Sequence, residues 1–214
     1  MTTIREIMFA SPVMPVIVLD RIDDAVPLAD ALVSGGIRVL EVTMRTPAAL
    51  DCVRAIRAAV PDAIVGVGTI TNIADLNAAR AAGAMFGVSP GTTAELLSHA
   101  NGSGFPFLPG AMTPSDVMRT LDAGFTAMKL FPARQAGGID MLKALGGPFP
   151  QVLFCPTGGI DGESAAAYLA LPNVACVGGS WLAPTKLIDN KDWDEISRRA
   201  AQAALLARQR NKHN

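Results

Sequence analysis

The sequence predicts an α/β fold, a (β/α)8 barrel with a short helix before the first strand and a longer helix after the last. Three observations point there. Short runs rich in Val and Ile, bounded by Gly or Pro, alternate with Ala-rich stretches at helical spacing, as repeated βα units do. There are eight such runs in the 214 residues, the number a barrel of this class uses. Half of the residues are apolar but only 5% are aromatic, which suits small branched side chains packed between helices and parallel strands.

The strand-like runs fall at 14–19, 38–43, 63–67, 85–88, 107–108, 125–130, 151–154 and 175–177. Helices are expected between them near 23–34, 47–59, 72–82, 92–100, 114–122, 138–145 and 161–170, several behind a Thr, Asn or Asp that can cap the first turn. A helix from Trp193 to about Gln209 follows. No long linker or shift of composition divides the chain, so residues 1–214 read as one domain, large enough to bury roughly 70% of its surface. Counting βα units does not by itself show closure, and a doubly wound open sheet is the alternative. In a barrel the chemistry sits where strands end and βα loops begin, so those segments are read for function.

Several partners are excluded first. Eighteen Lys and Arg against nineteen Asp and Glu, interspersed along the chain, leave no electrostatic footprint for nucleic acid or an anionic membrane. No apolar run approaches the roughly 18–20 residues that span a bilayer. The N-terminus lacks the basic start and uninterrupted apolar centre of a secretory signal, and a cytoplasmic protein is expected. Cys52, Cys155 and Cys176 are odd in number and not closely spaced, so they read as reduced, buried thiols.

The second strand ends in Glu41-Val42-Thr43-Met44-Arg45-Thr46, the third in Gly66-Val67-Gly68-Thr69, the fourth in Val88-Ser89-Pro90-Gly91 and the sixth in Met128-Lys129-Leu130-Phe131-Pro132. The seventh ends in Cys155-Pro156-Thr157-Gly158-Gly159 and the eighth in Gly178-Gly179-Ser180. Lys129 interrupts an apolar run, whereas Lys143, Lys186, Lys191 and Lys212 lie in polar or turn-like settings. A free lysine titrates near pH ~10.4, which leaves roughly a few parts in ten thousand as nucleophilic amine at neutral pH; apolar surroundings enlarge that fraction. A catalytic amine and a snorkelling lysine with a packed stem both fit the run. Glu41 could shuttle protons at a barrel mouth or be an ordinary solvated charge. Arg45, four residues on, has the fork that grips a carboxylate, although a surface arginine reads the same way. The paired glycines after the seventh and eighth strands stand at the usual phosphate site of the fold, where backbone N–H groups can approach an anion; singly, each pair is a turn.

Together, in this order and spacing, the six segments resemble the 2-keto-3-deoxy-6-phosphogluconate (KDPG) aldolase and 4-hydroxy-2-oxoglutarate (KHG) aldolase family, from about residue 12 to the C-terminal helix. The resemblance implies a TIM barrel and a class I aldolase that uses no metal and no cofactor. It implies that Lys129 forms the Schiff base and Glu41 is the general acid and base, Met44 being the one departure in that motif. Arg45 and Thr69 would hold the pyruvyl carboxylate, Pro90 and Phe131 would shape the pocket, and Thr157 would touch substrate hydroxyls. Gly158, Gly159, Gly178, Gly179 and Ser180 would take the phosphate, helped by the positive end of a short helix starting at Ser180. Arg134 stands where the family more often has an acidic residue. The implied reaction cleaves KDPG to pyruvate and glyceraldehyde 3-phosphate, and KHG to pyruvate and glyoxylate; a homotrimer serving the Entner-Doudoroff pathway is expected. His99 and His213 read as solvated surface residues, Trp181 and Trp193 as packing anchors near the C-terminal helix. Rival readings are an aldolase for the galactonate-derived epimer, a phosphosugar isomerase or epimerase, and a non-catalytic phosphosugar-binding barrel.

Overall fold

The computed structural model describes residues 2–207. Each strand is a short, buried apolar run: β1 (Val13–Ile17), β2 (Val39–Thr43), β3 (Ile64–Gly68), β4 (Gly87–Val88), β5 (Phe107–Leu108), β6 (Gly110–Ala111), β7 (Ala127–Leu130), β8 (Leu153–Pro156) and β9 (Val177–Gly179). All the pairings between them are parallel, in a six-stranded ladder of order β5-β4-β3-β2-β1-β9 and a three-stranded ladder β6-β7-β8. The two ladders form a curled parallel sheet. Parallel strands require crossovers, and these are α2 (Ala25–Ser34), α3 (Ala49–Ala59), α4 (Ile73–Ala81), α5 (Ala94–Gly102), α6 (Pro114–Asp122), α7 (Gly138–Gly146) and α8 (Ala165–Leu169). The chain is framed by α1 (Ile4–Ala10) and, after the last strand, by α9 (Thr185–Asp189) and α10 (Trp193–Ala204).

One strand expectation is extended and one corrected. The fifth run pairs at Phe107–Leu108 as expected, and a further strand, Gly110–Ala111, follows it beyond Pro109, which has no N–H for a ladder. Leu108 still accepts from the Ser89 N–H on the β4 side, and the Pro109 carbonyl accepts from the Lys129 N–H on the β7 side at 2.8 Å, so the strand changes partner at the proline. The last run is displaced: strand pairing covers Val177–Gly179, not 175–177. Phe154 and Val174, and Thr157 and Gly178, form single parallel bridges between the edges of the two ladders.

Several helices start behind caps of the expected type. Asn72, Thr93 and Asp192 each accept the N–H three residues on, and Thr113 does so in a reciprocal capping box with Asp116, satisfying donors that a helix start leaves open. Helix α1 packs Ile7 and Met8 into one apolar cluster with Met14, Val39 and Ala127, at or near the starts of β1, β2 and β7. It therefore covers the end of the sheet opposite the strand C-termini. A larger cluster lies between strands and helices, and includes Leu28, Leu32, Val53, Ile56, Val65 and Phe154. Cys52, Cys155 and Cys176 are all buried. No described helix is long and apolar enough to cross a membrane. The expected end of the C-terminal helix at Gln209, and His213 with it, lies outside the described residues.

Candidate active site

Two charged side chains from different ladders meet at the site. Glu41 on β2 is level with Val16 of β1 and Gly66 of β3, and Lys129 on β7 is level with Gly110 and Cys155. Although 88 residues apart, they meet: Lys129 Nζ donates to Glu41 Oε1 at 3.0 Å and Oε2 at 3.3 Å. The side chains are only 7% and 2% exposed. Among the described residues Lys129 is the one buried lysine, so the snorkelling alternative fails. The carboxylate has room because β3 ends in Gly68, where a Cβ would stand 2.1 Å from Oε1 of Glu41. The Phe131 ring lies beside the amine, its centroid 5.4 Å from Nζ.

The loop after β2 is tied down by its threonines. Thr43 and Thr46 donate their hydroxyls to the carbonyls of Ile17 and Leu19, and Arg45, between them, is exposed. The loops after β7 and β8 are joined by backbone bonds, Ala133 N–H to the Thr157 carbonyl at 2.8 Å and Arg134 N–H to the Gly158 carbonyl at 3.1 Å. Gly158 and Gly159 have φ of 105° and 74°, a backbone shape that glycine adopts without steric cost. The aliphatic part of Arg134 lies against Gly159.

These elements enclose a cavity of about 420 Å³ whose wall includes Arg45, Lys129, Phe131, Thr157, Gly158, Gly159, Gly179 and Ser180. That is a volume ordinary for small-molecule sites. A larger cavity of about 510 Å³ between α5 and α6 contains neither Lys129 nor Glu41, so chemistry and not size selects the smaller one. Four expected site residues are not on its wall. Glu41 sits behind Lys129, half-buried Thr69 follows β3 at φ 64°, half-buried Pro90 follows β4, and Gly178 is covered by the Thr157 side chain. Val16, Val18, Ile160 and Thr185 are on the wall without having been singled out in the sequence. The expected helix at Ser180 is also corrected: a turn occupies 181–182 and the helix begins at Thr185. Pro184 is the reason, since a residue before proline is driven out of helical conformation. Among the described residues no three of His, Cys, Asp and Glu cluster as metal ligands, and His99 is half-buried, its Nε2 3.1 Å from Asn77 Oδ1.

Known proteins are similar to this chain in sequence and in fold. The family model for KDPG and KHG aldolase matches residues 4–199. A 2-dehydro-3-deoxy-phosphogluconate aldolase of Pseudoalteromonas atlantica is 52% identical over 203 residues, covering 95% of this chain and 94% of that protein. The crystal structure of KDPG aldolase from Legionella pneumophila, with pyruvate captured at low pH as a covalent carbinolamine, superposes with a TM-score of 0.93 at 47% identity, covering 95% of this chain and 98% of that one. The 2-keto-3-deoxy-6-phosphogluconate aldolase of Zymomonas mobilis with 3-phosphoglycerate superposes with a TM-score of 0.90 at 46% identity, covering 94% of each chain. The chain belongs to the KDPG and KHG aldolase family.

Proposed function

We propose that the protein is a class I aldolase that cleaves KDPG to pyruvate and glyceraldehyde 3-phosphate, and KHG to pyruvate and glyoxylate. The observation that carries the reading is the buried Lys129–Glu41 contact at the wall of a substrate-sized cavity. The neutral amine is the nucleophile, and the Glu41 carboxylate, 3.0 Å from Nζ, is the group placed to exchange a proton with it.

Lys129 Nζ adds to the C2 ketone, the ketone oxygen takes up a proton, and loss of water leaves a cationic iminium. Glu41, directly or through a water, removes the proton of the C4 hydroxyl. The C3–C4 bond breaks, its electrons pass to the iminium, and the aldehyde leaves from an enamine. Glu41 returns a proton to C3, and water hydrolyses the pyruvyl imine to free the lysine. The covalent carbinolamine of the Legionella relative supports the first step.

Arg45 and Thr69 hold the carboxylate end of the substrate, Arg45 through paired hydrogen bonds. Gly158, Gly159, Gly179 and Ser180 receive the phosphate, Gly178 leaves room for the Thr157 side chain, Thr157 contacts the hydroxyls, and Pro90 and Phe131 shape the pocket. The chain folds as one domain in which the two ladders close into a (β/α)8 barrel, the Phe154–Val174 and Thr157–Gly178 bridges supporting closure on one side and the continuous β5–β6 segment on the other. The protein works in the cytoplasm as a homotrimer, on small-molecule substrates.

Borohydride reduction in the presence of pyruvate tests the chemistry: a three-carbon adduct should map to Lys129. No mass gain in a folded protein that is exposed to pyruvate would remove the Schiff-base mechanism. Turnover of KDPG, its galactonate-derived epimer and KHG, compared side by side, tests the substrate.

A further inference from the structure

We infer that Arg199, on α10 and outside the cavity, is a positioning residue for the turn that closes the cavity after β9. The inference rests on the phosphate role given above to Gly179 and Ser180. Asp192 caps α10 by accepting the Glu195 N–H. One turn in, Glu195 takes the Arg199 Nε at 2.7 Å and both Arg198 Nε and Nη2, at 2.6 and 2.7 Å. So oriented, Arg199 extends Nη1 across 18 residues of sequence to the carbonyl of Trp181 at 2.8 Å. Trp181 directly follows Ser180, and its ring lies on Gly179, where a Cβ would fall 1.9 Å from Cζ3. Gly179 and Ser180 in turn line the cavity with Lys129.

Arg199 therefore grips the outer side of a turn whose inner side faces the substrate. The turn needs such a grip. No helix begins at Ser180 to fix its N–H groups, and Gly179 has no side chain to anchor it. A guanidinium suits the task because its planar fork can hold Glu195 with one N–H while giving another to the carbonyl, and a charge-assisted bond is stronger than a neutral one. A displacement of about 1 Å in a group that binds substrate is enough to change kinetics by orders of magnitude. An arginine that only docked α10 would contribute to stability and leave substrate preference alone.

The test is Arg199→Met in the full-length protein, with Arg199→Lys and Glu195→Gln as milder variants. KM for KDPG should rise about fivefold to tenfold in Arg199→Met, with kcat and the rate of borohydride trapping of pyruvate on Lys129 little changed, the pattern of a lost binding interaction. KM for KHG, which has no phosphate, should stay near the parent value. Arg199→Lys can keep one of the two bonds and should fall between parent and Arg199→Met. Protection of the protein against thermal unfolding by inorganic phosphate should weaken in the same order. Equal changes in KM for both substrates, or none with KDPG, would overturn the inference; if Arg199→Met does not fold, the lysine and glutamine variants decide by the same ratio. A parent protein without KDPG turnover sinks the aldolase reading instead, and the phosphate-protection series then still judges Arg199: unchanged protection across the series overturns it.

Discussion

Gly68 and Glu41 fit together so closely that a single methyl group on the glycine would occupy the position of a carboxylate oxygen, 2.1 Å from Oε1. The glycine at the end of β3 thus sets where the acid of β2 points, and through it the 3.0 Å contact to Lys129. Gly68→Ala should push the carboxylate away from the amine. We expect kcat for KDPG cleavage to fall on the order of 100-fold, with a destabilisation of about 1–3 kcal/mol from overpacking. Steady-state kinetics beside a urea titration checks both; a variant with parental kcat would show that Glu41 need not stay where it is.

Removing one partner of the buried pair leaves the other charged group without its counterion. Lys129→Ala should destabilise the fold by about 3–5 kcal/mol. Lys129→Met combined with Glu41→Gln should recover much of the loss, because the combination buries no charge. Chemical denaturation of the two proteins gives the comparison, and equal stability would mean that Glu41 escapes to water when the lysine is gone.

Thr120 on α6 is fully buried, and its hydroxyl is the one buried side-chain polar atom among the described residues that has no hydrogen-bond partner. Valine has nearly the same shape without the hydroxyl. Thr120→Val should stabilise by about 1 kcal/mol, raising Tm by roughly 2–4 °C for a chain of this size, with activity unchanged. A lower Tm would reveal a partner for the hydroxyl.

The hydrogen bonds of Arg198 and then Arg199 hold the Glu195 carboxyl down to about 2 from its ordinary 4.5. A depressed acid stabilises the fold above its unfolded value and loses that contribution as the pH falls through the folded one. The difference in Tm between the parent and Glu195→Gln should therefore be constant from neutral pH to about 5 and shrink between roughly 4.5 and 2. A difference that persisted at pH 2 would assign the effect to helix geometry and not to charge.

The centre of the site was legible because it breaks local patterns. A lysine inside Ala127–Leu130 and a glutamate inside Val39–Thr43 contradict the apolar strands around them, and such contradictions mark chemistry. The cavity walls at Val16, Val18 and Ile160 were illegible for the opposite reason: an apolar residue facing a cavity has the same sequence signature as one facing the core. Strand ends differ because an apolar run includes residues that lead into the ladder, as at 175–176 before β9. Two prolines set boundaries that hydrophobic periodicity does not carry. Pro109 stands between β5 and β6 and Pro184 delays a helix, each through its own backbone chemistry.

Thr69 turns through φ 64° immediately after the strand whose glycine accommodates Glu41. A β-branched residue in that left-handed shape costs on the order of 1–3 kcal/mol, where glycine would rest without penalty. At the end of β3 the fold therefore holds local tension one residue from the glycine that accommodates Glu41, in a part of the chain that a search for greater heat resistance would be tempted to relax first.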